Sequence, residues 1–321
     1  MKPEEKIELI RHNTVEIIEE NELKELLKTK KKPVTYCGYE VSGEVHLGHM
    51  ATTTKLLDFL KAGFDVKILF ADWHTWLNRK GTWEEIYELT KLWEKAFKGL
   101  GLGKAEFVLG SHIQRNMNYM DDIMKISLKT TIQRALRSMQ EIARDIEHAR
   151  VSQVIYPFMQ IEDIKALKVD VAYAGIEQRK IHMLAREILP ELNYTSPICI
   201  HTPLIPSLQG PGGKMSSSKP ETMISVRDKE EEIKKKVSKA YCPEGTKEDN
   251  PILSIAKLVI FPRIKYFDAE REKKFGGDIR FNSYEELEKA FINKKLHPMD
   301  LKNAVSNYLI DILKPVRKVF D

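Results

Sequence analysis

The chain has 321 residues, 42% of them hydrophobic and 31% charged, a balance that suits a folded globular protein with one large core and a smaller second unit. Its 52 lysines and arginines against 47 aspartates and glutamates leave a formal charge of +5, too little by itself to announce a polyanionic partner. The cysteines Cys37, Cys199 and Cys242 lie far apart without CxxC spacing, which argues against a disulfide framework or a zinc site and for a reducing, cytoplasmic setting. No run approaches the roughly 18 apolar residues that span a membrane, and Met1 to Lys6 carry no apolar signal core, so no membrane attachment is expected.

Residues 3 to 30 predict two charged amphipathic helices, the second with Leu23, Leu26 and Leu27 at helical spacing. From Pro33 the pattern changes to short apolar strands over 34–37, 66–71, 107–109, 169–173 and 198–201. Helices are expected over 47–62, 84–100 and 182–189, and this alternation predicts an α/β fold with a parallel sheet, helices on both faces and ligands at the carboxyl ends of the strands. A mostly helical stretch from about 111 to 167 interrupts the rhythm, and beyond Lys219 only helical segments follow, over 227–240, 251–261, 284–291 and 298–320. Asn250-Pro251 and His297-Pro298 read as helix starts. The expected organisation is N-terminal helices over 1–32, a nucleotide-binding domain over 33–219 and an α-helical domain over 220–321. Lysine clusters at 28–32, 234–236 and 294–295, with Lys314, Arg317 and Lys318, are either solvated faces or contacts to a polyanion.

Two short segments carry most of the chemical information. His46-Leu47-Gly48-His49 follows the first strand and the turn Glu40-Val41-Ser42-Gly43, and then opens a helix. Imidazoles at a helix N-terminus meet phosphate where backbone N–H groups and the macrodipole already favour negative charge, and Gly48 leaves room for a flat base or ribose. Lys214-Met215-Ser216-Ser217-Ser218-Lys219 follows the flexible Gly210-Pro211-Gly212-Gly213 and offers a lysine and several hydroxyls, a suitable clamp for a leaving pyrophosphate. A third element places Tyr156, Gln160 and Asp163 at i, i+4 and i+7, on one helical face among apolar neighbours. A fourth, the polar run 175–180, follows the 169–173 strand at its carboxyl end.

The order HxGH then KMSSSK is the signature of class I aminoacyl-tRNA synthetases, and from about Ile7 to Arg317 the chain resembles the tyrosyl-tRNA synthetases of archaeal and eukaryotic type. The resemblance implies a Rossmann-like parallel-sheet catalytic domain, a helical insertion that carries a homodimer interface, and a small α-helical anticodon-binding domain. It implies that Tyr36 and Asp163 hydrogen-bond the phenol of L-tyrosine, that Tyr156, Gln160 and Gln178 surround its ammonium and carboxylate with Glu40 close by, and that Asp72 and His74 lie beside the ring and the ammonium. ATP binding falls to Gly38, His46, Gly48, His49, Lys214, Met215, Ser216, Ser217 and Ser218, with His46, Gly48, His49, Lys214 and Ser217 catalytic. Mg²⁺ is expected with ATP, held mainly by phosphate oxygens and water, since no dedicated acidic cage is visible. For tRNA(Tyr), Arg137, Arg179 and Lys180 match residues that read the acceptor stem, and Phe275, His297 and Asp300 match those at the anticodon.

Some residues depart from the family pattern: Val41 replaces a usual proline, Ala174 a glycine, Trp73 an aliphatic residue, and His112 an acid. The implied activity is tyrosine activation by ATP to tyrosyl-adenylate and pyrophosphate, then transfer to the 3′-terminal adenosine of tRNA(Tyr). A carboxylate nucleophile and a pyrophosphate leaving group require no protein general base, so orientation and charge stabilisation carry catalysis. The alternatives are a tryptophanyl-tRNA synthetase, a tyrosyl-type paralogue with altered amino-acid specificity, a small nucleotidyltransferase and a non-catalytic tRNA-binding paralogue. Tyr36 paired with Asp163 favours a phenol over an indole, whose N–H only donates.

Overall fold

The computed structural model describes residues 1–142 and 147–320. The chain divides into two compact units, one made of Met1–Ser42, Lys55–Glu94 and Gly103–Pro203, the other of Gly43–Thr54, Lys95–Leu102 and Leu204–Asp321. In chain order the elements begin with α1 (Pro3–Arg11), β1 (Glu16–Ile18), α2 (Glu20–Thr29), β2 (Val34–Tyr39), α3 (Leu47–Lys61), β3 (Asp65–Phe70), α4 (Asp72–Leu77) and α5 (Trp83–Phe97). They continue with β4 (Glu106–Leu109), α6 (Gly110–Gln114), α7 (Met117–Lys129), α8 (Ile132–Ser138), α9 (Val151–Ala166), β5 (Val171–Gly175), α10 (Arg179–Ile188) and β6 (Ile198–Thr202). The last elements are α11 (Glu230–Lys239), α12 (Pro251–Ile255), β7 (Phe267–Ala269), β8 (Ile279–Phe281), α13 (Tyr284–Ile292) and α14 (Pro298–Arg317).

The first unit is built on a six-stranded sheet in the order β1-β6-β5-β2-β3-β4. Strands β2 to β6 run parallel, and β1 alone pairs antiparallel, on β6. Apolar, β-branched and aromatic side chains put these strands in the interior, so that all five residues of β5 and of β6 are buried. Strand order reverses between β2 and β5, which pair through Thr35↔Val171 and Tyr36↔Ala172, and a parallel sheet opens a crevice at such a reversal. The helices α6 to α9 fall between β4 and β5, where the sequence predicts a helical interruption. A large core cluster joins Ile123 and Ile126 of α7, Ile161 and Ile164 of α9, Ile181 and Ala185 of α10 and the sheet residues Tyr36 and Ala172.

Two pairings escape the sequence pattern. Strand β1 lies between the two predicted N-terminal helices, and its three residues are too few to show a period-2 alternation. The antiparallel pair β7 and β8 stands inside a region expected to be wholly helical. It is fixed by rings, with Phe267 stacked on Phe261 at 5.6 Å and tilted against Tyr308 at 4.8 Å.

The N-terminal helix is held by a buried cation. Lys55, 2% exposed, sends its ammonium to the carbonyls of Leu9 (3.0 Å) and Ile10 (3.1 Å) and to that of His12, and pairs with Asp58 Oδ2 at 3.0 Å. These are the acceptors that a helix ending at Arg11 leaves without an intrahelical donor. Lys55→Met removes the donor and leaves Asp58 with only the 3.6 Å contact to Lys61, and should cost about 3 kcal/mol in urea unfolding. A loss under about 1 kcal/mol would show that the ammonium is not what secures α1.

Candidate active site

In the second unit, the HxGH segment pairs through backbone with the stretch that follows the KMSSSK loop. Residues 45–47 pair with residues 224–226: His46 and Ser225 form an antiparallel bridge, Leu47 N–H donates to Ile224 O (3.0 Å) and Val226 N–H to Val45 O (3.0 Å). The loop itself is tied by Ser207 N–H on Gly213 O (2.9 Å), a Pro206–Lys214 bridge and Ser216 N–H on Thr222 Oγ1 (3.2 Å). Met215 is buried and anchors it, while Lys214 and Ser218 are exposed and Ser216 and Ser217 half-buried. The fit is tight: a Cβ on Gly43, whose φ is +63°, would lie 2.6 Å from Ser217 Cβ.

The two imidazoles are fixed in one tautomer by the start of α3. His46 Nδ1 accepts from Gly48 N–H and His49 Nδ1 accepts from His46 N–H, both at 3.1 Å. A neutral ring whose Nδ1 accepts carries its hydrogen on Nε2, so each ring presents Nε2–H as donor. The rings lie 3.9 Å apart, tilted by 36°. Burial and, after it, the Lys214 ammonium hold His46 down to about 4, which keeps it neutral at physiological pH. The side chain missing from Gly48 matters to His46 as well as to any ligand, because a Cβ there would meet Cε1 of that ring at 2.8 Å.

The first unit holds a polar pocket around Asp163. This residue is 0% exposed on α9, and its Oδ1 accepts from Gln114 Nε2 (2.9 Å) and lies 2.9 Å from the Tyr119 hydroxyl. The Tyr119 hydroxyl also reaches Met159 O at 2.8 Å, so its one hydrogen serves one of two acceptors at a time. Asp163 Oδ2 is buried without a hydrogen-bond partner among the described residues. Burial raises this carboxyl to about 7, against the lowering effect of Gln114 and Tyr119. Its neighbour His74 is pushed down to about 4 by burial, so the 3.7 Å approach of His74 Nε2 to Asp163 Oδ2 joins no charged pair at neutral pH. Tyr36 and Tyr156 are buried, and their hydroxyls are raised far above the usual phenol range, first by burial and, for Tyr36, next by the Asp163 charge.

The remaining predicted residues line the same unit. Tyr36 faces Gln160, Gln160 donates to Gln178 Oε1 (3.2 Å), and Tyr156 faces Glu40 and takes the His74 ring edge-on at 4.6 Å. Glu40 also accepts from Asn78 Nδ2 (2.8 Å) and pairs with Lys80. Asp72 turns Oδ1 to the N–H groups of Trp73 (2.9 Å) and Ser111 (2.8 Å), joining α4 to α6. Gly38 is exposed near the carboxyl end of β2. Val41, where a proline was expected, uses the N–H that proline lacks to bond Thr75 Oγ1 at 2.8 Å, so the turn is tied rather than loosened. Gln114 and Tyr119 escape sequence reasoning because no motif surrounds them, and only the packing of α6 and α7 on α9 brings them to Asp163.

The candidate tRNA residues fall in two places. Arg137 is exposed on α8, and Arg179 and Lys180 begin α10, with Lys180 Nζ on Gln140 Oε1 at 2.9 Å. His297 is the N-cap of α14, where Nδ1 accepts from Met299 N–H (3.2 Å), and Asp300 sits in that helix's first turn. The side chain of Phe275 lies outside the described residues.

Residues 28–314 match the class I tRNA synthetases (W and Y). The chain is 52% identical over 316 residues to the tyrosine–tRNA ligase of Archaeoglobus fulgidus, with 98% of this chain and 97% of that one covered. It is 50% identical over 317 residues to the tyrosine–tRNA ligase of Methanosarcina barkeri, covering 98% and 99%. The crystal structure of tyrosyl-tRNA synthetase complexed with L-tyrosine from A. fulgidus matches it with a TM-score of 0.96 at 51% identity over 100% of both chains. With a signature pair whose loops pack together and a family match across most of its length, the chain belongs to the class I tRNA synthetases (W and Y).

Proposed function

We propose that the chain is a tyrosine–tRNA ligase, which joins L-tyrosine to tRNA(Tyr) at the expense of ATP. The observation that carries the amino-acid choice is the orphaned Asp163 Oδ2, buried in a pocket with the Tyr36 hydroxyl and flanked by His74. A phenol hydroxyl donates to that oxygen while accepting from Tyr36, and a phenylalanine ring leaves the carboxyl without a partner. Glu40, Tyr156, Gln160 and Gln178 suit the ammonium and carboxylate, with Asp72 and His74 beside the ring.

The first step is attack of the tyrosine carboxylate on the α-phosphate of ATP, with pyrophosphate leaving. Paired Nε2–H donors on His46 and His49 and the ammonium of Lys214 supply charge stabilisation, and the hydroxyls of Ser216, Ser217 and Ser218 hold the β- and γ-phosphates. Gly48 and Met215 shape the nucleoside site, and Gly38 is a further ATP-binding residue. Mg²⁺ enters as the magnesium complex of ATP, since among the described residues no group of three or more His, Cys, Asp or Glu is gathered to hold a metal. The second step transfers tyrosine to the tRNA terminus, with Arg137, Arg179 and Lys180 at the acceptor stem and Phe275, His297 and Asp300 at the anticodon. Functionally the chain comprises N-terminal helices over 1–32, a catalytic domain over 33–219 and an anticodon-binding domain over 220–321.

The protein acts in the cytoplasm as a homodimer. Supporting the dimer is an apolar stripe on α7: Met117 is 75% exposed, Met120 42%, Met124 56% and Leu128 88%, followed on α8 by Ile132 at 64%. Side chains at i, i+3, i+7 and i+11 share a helix face, and a second copy is the occupant that would bury it. Among the described residues no helix is long and apolar enough to cross a membrane.

Pyrophosphate exchange across the twenty amino acids should show activity with tyrosine alone; activity with tryptophan would overturn the assignment. Tyr36→Phe should lower tyrosine activation roughly 10- to 100-fold and narrow the preference over phenylalanine, and unchanged selectivity would remove Tyr36 from the pocket. Gly48→Ala should lower the melting temperature by a few degrees at most, since alanine's helix preference offsets part of the lost cap, while exchange falls about 100-fold as His46 is displaced. Met124→Asp with Leu128→Asp should convert a dimer to a monomer by light scattering; a variant that stays dimeric would place the interface elsewhere.

A further inference from the structure

We propose that Glu16, backed by His201 and His182, is a positioning residue that aims Arg179 at the acceptor end of the tRNA, an inference that rests on Arg179 being a tRNA contact. Glu16 opens β1, the edge strand, and is the cross-strand partner of His201 on β6. Its Oε1 accepts from Arg179 Nε at 2.7 Å and lies 2.9 Å from His201 Nδ1. The latter approach is close but not aligned as a hydrogen bond, and no aligned acceptor meets that nitrogen among the described residues. Behind it, His201 Nε2 lies 3.0 Å from His182 Nδ1, with both rings fully buried.

The order of protons follows from chemistry. With the His201 hydrogen on Nδ1, facing the carboxylate, Nε2 is an acceptor and His182 Nδ1–H donates to it. His182 Nε2 is then the bare end of the chain, and it has no partner among the described residues. Burial lowers both rings; a charge on His201 further opposes one on His182, while for His201 Glu16 acts the other way and Arg179 adds to the lowering.

Two features mark this as aiming rather than incidental pairing. An exposed Arg–Glu pair has little directional strength of its own, but here the carboxylate sits on a sheet edge against a buried ring. It also engages Nε, the inner nitrogen, so that among the described residues the two terminal Nη groups carry no hydrogen bond, although the side chain is only 44% exposed. Those groups form the fork that reads a base edge or a phosphate. Arg179 adjoins Gln178, which is bonded to Gln160, so the fork is held from a fixed point beside the amino-acid pocket.

The test uses the full chain, with tyrosine charging of a tRNA(Tyr) transcript and pyrophosphate exchange measured for each variant. Glu16→Gln should raise the KM for tRNA about 5- to 10-fold, as the loss of one charge-assisted contact predicts, with exchange unchanged. Removing an acid beside RNA should tighten binding on charge alone, so a lower KM, or an unchanged one, overturns the proposal. Arg179→Ala should raise the same KM, and Glu16→Gln should add nothing in that background; additive effects would show a merely structural edge strand. Arg179→Lys keeps the charge but loses both the inner nitrogen and the fork, and should be as impaired as Arg179→Ala; a lysine that restores charging overturns the aiming role. If Arg179→Ala leaves the KM for tRNA unchanged, the reading of Arg179 itself falls. If it raises the KM and Glu16→Gln does not, only the positioning by Glu16 falls.

Discussion

A single carboxyl oxygen with no partner governs the amino-acid pocket. Asp163 Oδ2 is sealed from water on α9, and a buried acceptor left unsatisfied costs about 1–3 kcal/mol. Burial itself softens that cost by raising the carboxyl to about 7. The surroundings do not relieve it, because Gln114 and Tyr119 both turn to the other oxygen, and His74 is kept neutral and 3.7 Å away. What removes the deficit is a ligand that brings its own hydroxyl. In the proposed reading the deficit becomes selectivity, since a ring without a hydroxyl leaves it in place.

The same economy shapes the segment proposed to bind phosphate. The start of a helix has N–H groups to satisfy, and in α3 two of them are met by the Nδ1 atoms of His46 and His49. Capping therefore does a second task, because it forces both hydrogens onto Nε2. Neutral imidazoles suit this chemistry: two charged rings 3.9 Å apart would repel each other and Lys214. The positive charge is left to a lysine on a loop anchored by Met215, on a longer and more mobile stem. Gly48 is needed at both levels, as donor to the His46 ring and as the absent side chain beside it.

Much of this was legible in the sequence because the informative signals are local. HxGH at a strand-to-helix turn, Tyr156, Gln160 and Asp163 on one face, and β-branched strands separated by helices each need only a few neighbouring residues to be recognised. The parts that were not legible depend on partners distant in the chain. Gln114 and Tyr119 reach Asp163 only because α6 and α7 fold against α9, and Glu16 meets His201 only because β1 closes the far edge of the sheet. Strand β1 and the β7–β8 pair share a further difficulty, with three residues apiece and no room for an alternation to declare itself. Val41 is instructive in another way: it stands where the family usually has proline, and whether the N–H it adds is an asset depends on an acceptor, which Thr75 supplies from α4.

Neutrality is the thread that joins these sites to the chemistry. His46 and His74 sit near 4 and Asp163 near 7, in each case because burial opposes charge. A general base would need a group poised near the working pH and free to take a proton from the nucleophile. Of these, the histidines titrate too low to serve, and the free oxygen of Asp163 is assigned in the proposed reading to the phenol rather than to the attacking carboxylate. The reaction asks for no such group, because the attacking carboxylate is already ionised and pyrophosphate leaves unaided. What it does ask for is fixed donors where charge gathers on phosphate, and in the proposed reading the neutral Nε2–H groups held by a helix start are those donors. The fold accordingly invests its buried polar residues in direction, and leaves most of the charge to the substrates.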